Sequence, residues 1–126
     1  MKTQQKNAII YCRVNLHAKT DEILIIDKQE SEVLKFCKNE GFNVIKKFTD
    51  YTTTSNKNQP ELKKMKAFAK HNDNQIDAVV CLGFDRIART FEKAHNEFTE
   101  FNQMSIDIIS VQQITNFKNN TNDKNN

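Results

Sequence analysis

The sequence predicts an α/β domain of three layers, with a central, mostly parallel β-sheet flanked by helices. Two observations carry that expectation. Short apolar runs alternate with longer stretches whose apolar residues recur every three or four positions, which gives the order βαβαβαβ. One run, Ala78-Val79-Val80-Cys81-Leu82, is almost continuously apolar, as a strand buried on both faces of a parallel sheet should be. At 126 residues the chain is long enough for one core and one domain.

The first strand spans residues 7–14, with Ala8-Ile9-Ile10 as its apolar body. A polar loop follows, and Thr20 or Asp21 can cap a helix that runs to about Glu40. Its apolar side is Ile23, Ile26, Val33, Leu34 and Cys37, and Gly41 ends it as a C-cap. Residues 42–48 form the second strand, centred on Val44 and Ile45. Residues 49–58 are polar and turn-rich, and read as a long binding-type loop.

Pro60 suits the first turn of a second helix, which carries Leu62, Met65, Ala67, Phe68 and Ala69 and frays at residues 71–74. The third strand is 76–82. Gly83 to Arg86 breaks it, and a helix follows whose stripe is Ile87, Phe91, Ala94, Phe98 and Phe101. Residues 105–111 form a fourth strand. From about Ile114 the chain is Asn- and Lys-rich without apolar periodicity, so residues 114–126 read as a disordered tail behind a domain at 1–113.

Bulk properties narrow the function classes. The formal charge of +3 is compatible with a polyanion but does not by itself argue for one. Cys12, Cys37 and Cys81 are odd in number and have no metal-ligand spacing, so they read as small buried hydrophobes in a reduced compartment. No apolar run approaches the roughly 20 residues of a membrane span, and no signal-peptide core opens the chain. These features predict a cytoplasmic protein with no membrane span and no cysteine metal site. Only two glycines are present, Gly41 and Gly83, and none forms a phosphate loop after the first strand, which disfavours a flavodoxin-like nucleotide binder.

The polar residues fall where such a fold binds ligands, beyond the carboxyl ends of its strands. Arg13 ends the first strand, and Asp85, Arg86 and Arg89 follow the third. Arg86 and Arg89 are three apart and share a helix face near its start, where the dipole does not favour cations. An anion between them resolves the conflict, and a phosphate suits guanidinium forks. The bland reading makes Asp85 an N-cap and both arginines solvated. His17, His71 and His95 are scattered, the phenylalanines of the last helix have core spacing, and Lys63, Lys64, Lys66 and Lys70 read as a solvated face.

The motifs have a characteristic order: Tyr11-Cys12-Arg13-Val14, Gln29 in the next helix, Phe48-Thr49-Asp50, then Asp85-Arg86-Ile87-Ala88-Arg89. Together they resemble the resolvase/invertase family of serine site-specific recombinases over about residues 7–113. The resemblance implies a resolvase-like domain that cuts and rejoins DNA through a covalent phosphoserine link, with no metal or cofactor. It implies that Arg13, Arg86 and Arg89 bind phosphate, that Asp85 and Gln29 are active-site polar groups, and that Asp50 is a supporting carboxylate.

Three departures bear on activity. The nucleophile position holds Asn15, whose carboxamide is no nucleophile, and no Ser or Thr stands beside it in the chain to substitute. Gln59 stands where the family often has an arginine before its helix start. The long dimerisation helix and the DNA-reading domain are expected to be missing. The leading expectation is thus a recombinase-type domain defective in cleavage, binding DNA weakly through its phosphate backbone. The alternatives are a regulatory or dimerisation partner of a full-length recombinase, acting as homodimer or hetero-associate, and a decayed mobile-element remnant.

Overall fold

The computed structural model describes residues 5–15, 22–53, 57–88 and 90–113, with backbone only for residues 22–27 and 91. Its elements are β1 (Lys6–Asn15), α1 (Glu22–Asn39), β2 (Phe42–Thr52), α2 (Pro60–His71), β3 (Ala78–Cys81), α3 (Phe91–Gln103) and β4 (Asp107–Ser110). The expected caps of α1 and the expected tail at 114–126 lie outside the described residues.

The four strands form one sheet in the order β2-β1-β3-β4, and every neighbouring pair is parallel. Strand alternation sorts the side chains into two cores. On one face Ala8, Ile10 and Val80 pack with Val33 and Cys37 of α1. On the other, Ile9, Tyr11 and Val79 pack with Leu62 and Met65 of α2 and Phe101 of α3. Helices therefore cover both faces, and each fully buried Ile or Val contributes roughly 1.5–3 kcal/mol. The sheet's direction of growth reverses between β1 and β3, so their carboxyl ends flank the crevice where this architecture binds ligands.

Gly41 ends α1 at φ +79°, the left-handed position its lack of Cβ permits, and its N–H reaches the Lys38 carbonyl at 3.3 Å. Three expectations are corrected. First, β2 does not stop at Phe48 but runs to Thr52, so residues 49–52 belong to the sheet rather than to a loop. Their pairing with residues 12–15 of β1 supplies the ladder that a loop would lack.

Second, Ile45 and Leu34 are not core residues, being 38% and 36% exposed. The β1–β2 register slips between Ala8 and Ile9, leaving Ile45 as the extra residue of a bulge. Third, no helix begins at Asp85. Residues Phe84–Arg86 form a short 3-10 turn, and α3 starts at Phe91, with the Thr90 hydroxyl accepting from the Lys93 N–H at 3.2 Å. Ile87 is buried, but from the segment ahead of the helix.

Candidate functional site

The site grows from the last turns of β1. Pairing with β2 is continuous from Ile9 to Asn15, so Tyr11, Arg13 and Asn15 share one face. Their β2 partners Phe48, Asp50 and Thr52 share it too. Two polar ladders thus run side by side toward the carboxyl edge.

Arg13 is almost wholly buried, and its Nη2 donates to the backbone carbonyl of Asp85 at 2.7 Å. This bond ties the end of β1 to the turn after β3. Gln29, buried in α1, holds the Arg13 backbone. Its Oε1 accepts the Arg13 N–H and its Nε2 donates to the Arg13 carbonyl, both at 3.2 Å. A carboxamide carries the same donor and acceptor as a peptide group, so Gln29 pairs with Arg13 as a neighbouring strand would.

Asp50 is buried and fully engaged. Its Oδ2 accepts from the Tyr11 hydroxyl at 2.8 Å and from the Leu62 N–H at 3.0 Å, while Oδ1 accepts from the Glu61 N–H at 2.9 Å. Gln59 precedes α2 without capping it. The neighbouring strand supplies the cap instead, placing a carboxylate against two orphan amides at the positive end of the helix. Burial raises the Tyr11 phenol far above its ordinary pKa, with the Gln59 hydrogen bond lowering it and Asp50 raising it.

The carboxamide freed from capping turns inward. Gln59 Nε2 donates to the Tyr11 oxygen at 2.9 Å, to the Ile87 carbonyl at 3.1 Å and, longer, to the Arg86 carbonyl at 3.4 Å.

Arg86 lies beside this network. Its Nη1 bonds the largely exposed Asp85 carboxylate at 2.8 Å, a surface pair of small energy. Its Nε is buried with no acceptor among the described residues. With Lys28, Gln29, Glu32, Leu82 and Gln112 it lines a cleft of about 210 Å³. The structure therefore brings Arg13, Gln29, Asp85 and Arg86 to one sheet edge, with Asp50 behind them. Arg89 lies outside the described residues. Among the described residues no group of His, Cys, Asp and Glu is arranged to hold a metal ion.

Asn15 completes the edge, next to a hydroxyl that comes from another strand. Thr52 Oγ1 donates to Asn15 Oδ1 at 2.6 Å. Thr52 pairs with Asn15 across the β1–β2 ladder and is completely buried, so it orients the carboxamide without facing solvent itself. Sequence reasoning did not place Thr52 beside Asn15, and named Gln59 only as the position of an absent arginine. A signal for Thr52 existed in the period-two series Phe48, Asp50, Thr52 within a Tyr- and Thr-rich, strand-favouring stretch. The bonds of Gln59 had no such signal, because its partners lie on two other segments, β1 and the turn after β3.

No curated protein matches the sequence. Among solved structures, the N-terminal catalytic domain of TP901-1 integrase superposes with a TM-score of 0.70 at 23% identity, covering 86% of this chain and 78% of that one. The C-terminal catalytic domain of ISC1926 TnpA, an IS607-like serine recombinase, gives 0.66 at 21% identity, covering 83% and 67%. A resolvase family site-specific recombinase from Streptococcus pneumoniae gives 0.66 at 13% identity, covering 84% and 73%. At these identities the likeness establishes the fold. The family model "Resolvase, N terminal domain" matches residues 8–125, nearly the whole chain. The chain belongs to the resolvase N-terminal domain family, the family of serine recombinase catalytic domains.

Proposed function

We propose that this chain is a recombinase-type catalytic domain, spanning residues 1–113, that binds DNA through phosphate contacts and does not cleave it. In this reading Arg13, Arg86 and Arg89 are the phosphate-binding cations. Gln29 and Asp85 shape the crevice, and Asp50 holds its floor. The reading rests on one observation. The Asn15 carboxamide, at the position that the resemblance assigns to the nucleophile, is hydrogen-bonded to Thr52.

The chemistry follows from the groups. Strand cleavage of this kind requires a hydroxyl oxygen to attack phosphorus and displace a deoxyribose oxygen, leaving a phosphoester on the protein. Arginines stabilise the charge on the pentavalent phosphorus. A carboxamide binds phosphate through its NH2 but forms no such ester. The Thr52 hydroxyl is no substitute, since it is buried behind Asn15. What remains is the binding half of the reaction, suited to a homodimer or to association with a full-length recombinase on DNA.

The test is incubation with supercoiled DNA from the native locus, followed by denaturing electrophoresis for a covalent protein–DNA adduct. The native chain is expected to shift DNA at low salt and to give no adduct. An Asn15→Ser variant serves as the comparison in which an adduct becomes chemically possible. An adduct with the native sequence overturns the proposal.

A further inference from the structure

We propose that Gln59 is a positioning residue for Arg86, holding the turn from which that guanidinium meets a DNA phosphate. The inference rests on the reading of Arg86 as a phosphate binder, and it concerns what keeps Arg86 in place.

The Phe84–Arg86 turn is short and weakly self-supported. Its own bonds are Arg86 N–H to the Gly83 carbonyl and Ile87 N–H to the Phe84 carbonyl, each 3.0 Å, and Ala88 N–H to the Phe84 carbonyl at 3.3 Å. These use the amides of residues 86–88. Among the described residues no backbone N–H donates to the carbonyls of Arg86 and Ile87, and α3 begins only at Phe91. Buried carbonyls without partners are costly. Gln59 Nε2 reaches both, at 3.4 and 3.1 Å.

The network also fixes which way the carboxamide faces. Tyr11 gives its proton to Asp50, so its oxygen is an acceptor toward Gln59. Three acceptors therefore face one end of the side chain, and only the NH2 end satisfies them. Asp50 in turn grips the amides of Glu61 and Leu62. The arginine-bearing turn is thereby moored, through Gln59, Tyr11 and Asp50, to the start of α2. Gln59 itself is neutral, which leaves the cationic work to the arginines.

Two measurements on the full chain test this, using Gln59→Ala and the equal-sized Gln59→Glu, which keeps the packing but removes the donor. The first is hydrogen exchange of the Arg86 Nε–H by NMR. That proton is shielded in the native fold. Both variants are expected to speed its exchange at least about 5-fold, as local opening becomes easier, with the Ile9 and Val79 amides unchanged. Unchanged Nε exchange overturns the proposal, as does Gln59→Glu behaving like the native chain, since packing alone would then suffice.

The second is a double-mutant cycle with Arg86→Gln, read as affinity for a duplex oligonucleotide at fixed salt. Gln59→Ala is expected to weaken binding about 5-fold in the native background and less than about 2-fold beside Arg86→Gln, the coupling expected of residues in one network. Losses that simply multiply overturn the proposal. Absence of any duplex binding by the native chain counts against the DNA-phosphate reading instead, and the exchange measurement then decides the Gln59–Arg86 link alone.

Discussion

Thr52 Oγ1 lies 2.6 Å from Asn15 Oδ1, across the outermost rung of the β1–β2 pairing. The Asn15 side chain is therefore anchored, built into the sheet edge. Thr52→Val keeps the shape and removes the hydroxyl. We expect a loss of about 1 kcal/mol, the net worth of one buried hydrogen bond. It should appear as a lower urea midpoint with an unchanged m-value.

Asp50 is the cap of a helix that does not contain it. Asp50→Asn keeps one carbonyl oxygen but turns an NH2 toward the Tyr11 hydroxyl or a helix amide. The loss of a cap and of a buried acceptor together should cost about 2 kcal/mol. Chemical denaturation measures the loss, and amide exchange should show the first turn of α2 opening before the strands.

Gln29 pairs with both backbone groups of Arg13. Gln29→Glu can accept from the Arg13 N–H, but as a carboxylate it faces the Arg13 carbonyl with no proton to give. We expect about 1–3 kcal/mol of destabilisation at pH 7. The penalty should shrink as pH falls toward the ordinary glutamate range, because the protonated acid regains a donor. Urea midpoints of the native and variant chains at pH 7 and pH 4.5 should therefore converge.

Alkali should unfold the chain through its thiols. Burial pushes Cys12 and Cys37 up to about 11 and Cys81 up to about 12, from an ordinary value of 9.0. For Cys12, Glu30 adds to the rise, while Arg86 and Lys47 oppose it. A group with a raised folded pKa retains protons that the unfolded chain has lost. Its stabilising share is complete below about pH 9 and is lost as pH climbs through 9 to 12. Stability should thus fall over that window, and less steeply in Cys37→Ala. At pH 8 the folded thiols should resist an aromatic disulfide reagent until denaturant is added.

Much of the architecture was legible in the chain. The run Ala78 to Leu82 could only be a doubly buried strand, and Gly41 could only be a helix end, since each follows from local composition and conformational freedom. Arg13 and Arg86 could be assigned to one edge because alternating strands and helices dictate where strand ends meet. The end of β2 was not legible. Residues 49–52 are polar on their own and become strand only by pairing with residues 12–15. The start of α3 was misread for a related reason, as Ile87 fits the helical stripe but is buried from an irregular segment.

The sequence by itself determined the fold class, the family motifs and the absence of a hydroxyl at Asn15, because these are properties of residue type and order. Only the tertiary structure decided how those residues are held. It set the Thr52 hydroxyl against Asn15, made Asp50 the cap of α2, and turned Gln59 toward the carbonyls of Arg86 and Ile87. Hydrogen bonds of this kind join groups between 11 and 48 residues apart, as in Asp50 with Glu61 and Tyr11 with Gln59. Their geometry exists only once parallel strands and the helices covering them have brought those groups within about 3 Å.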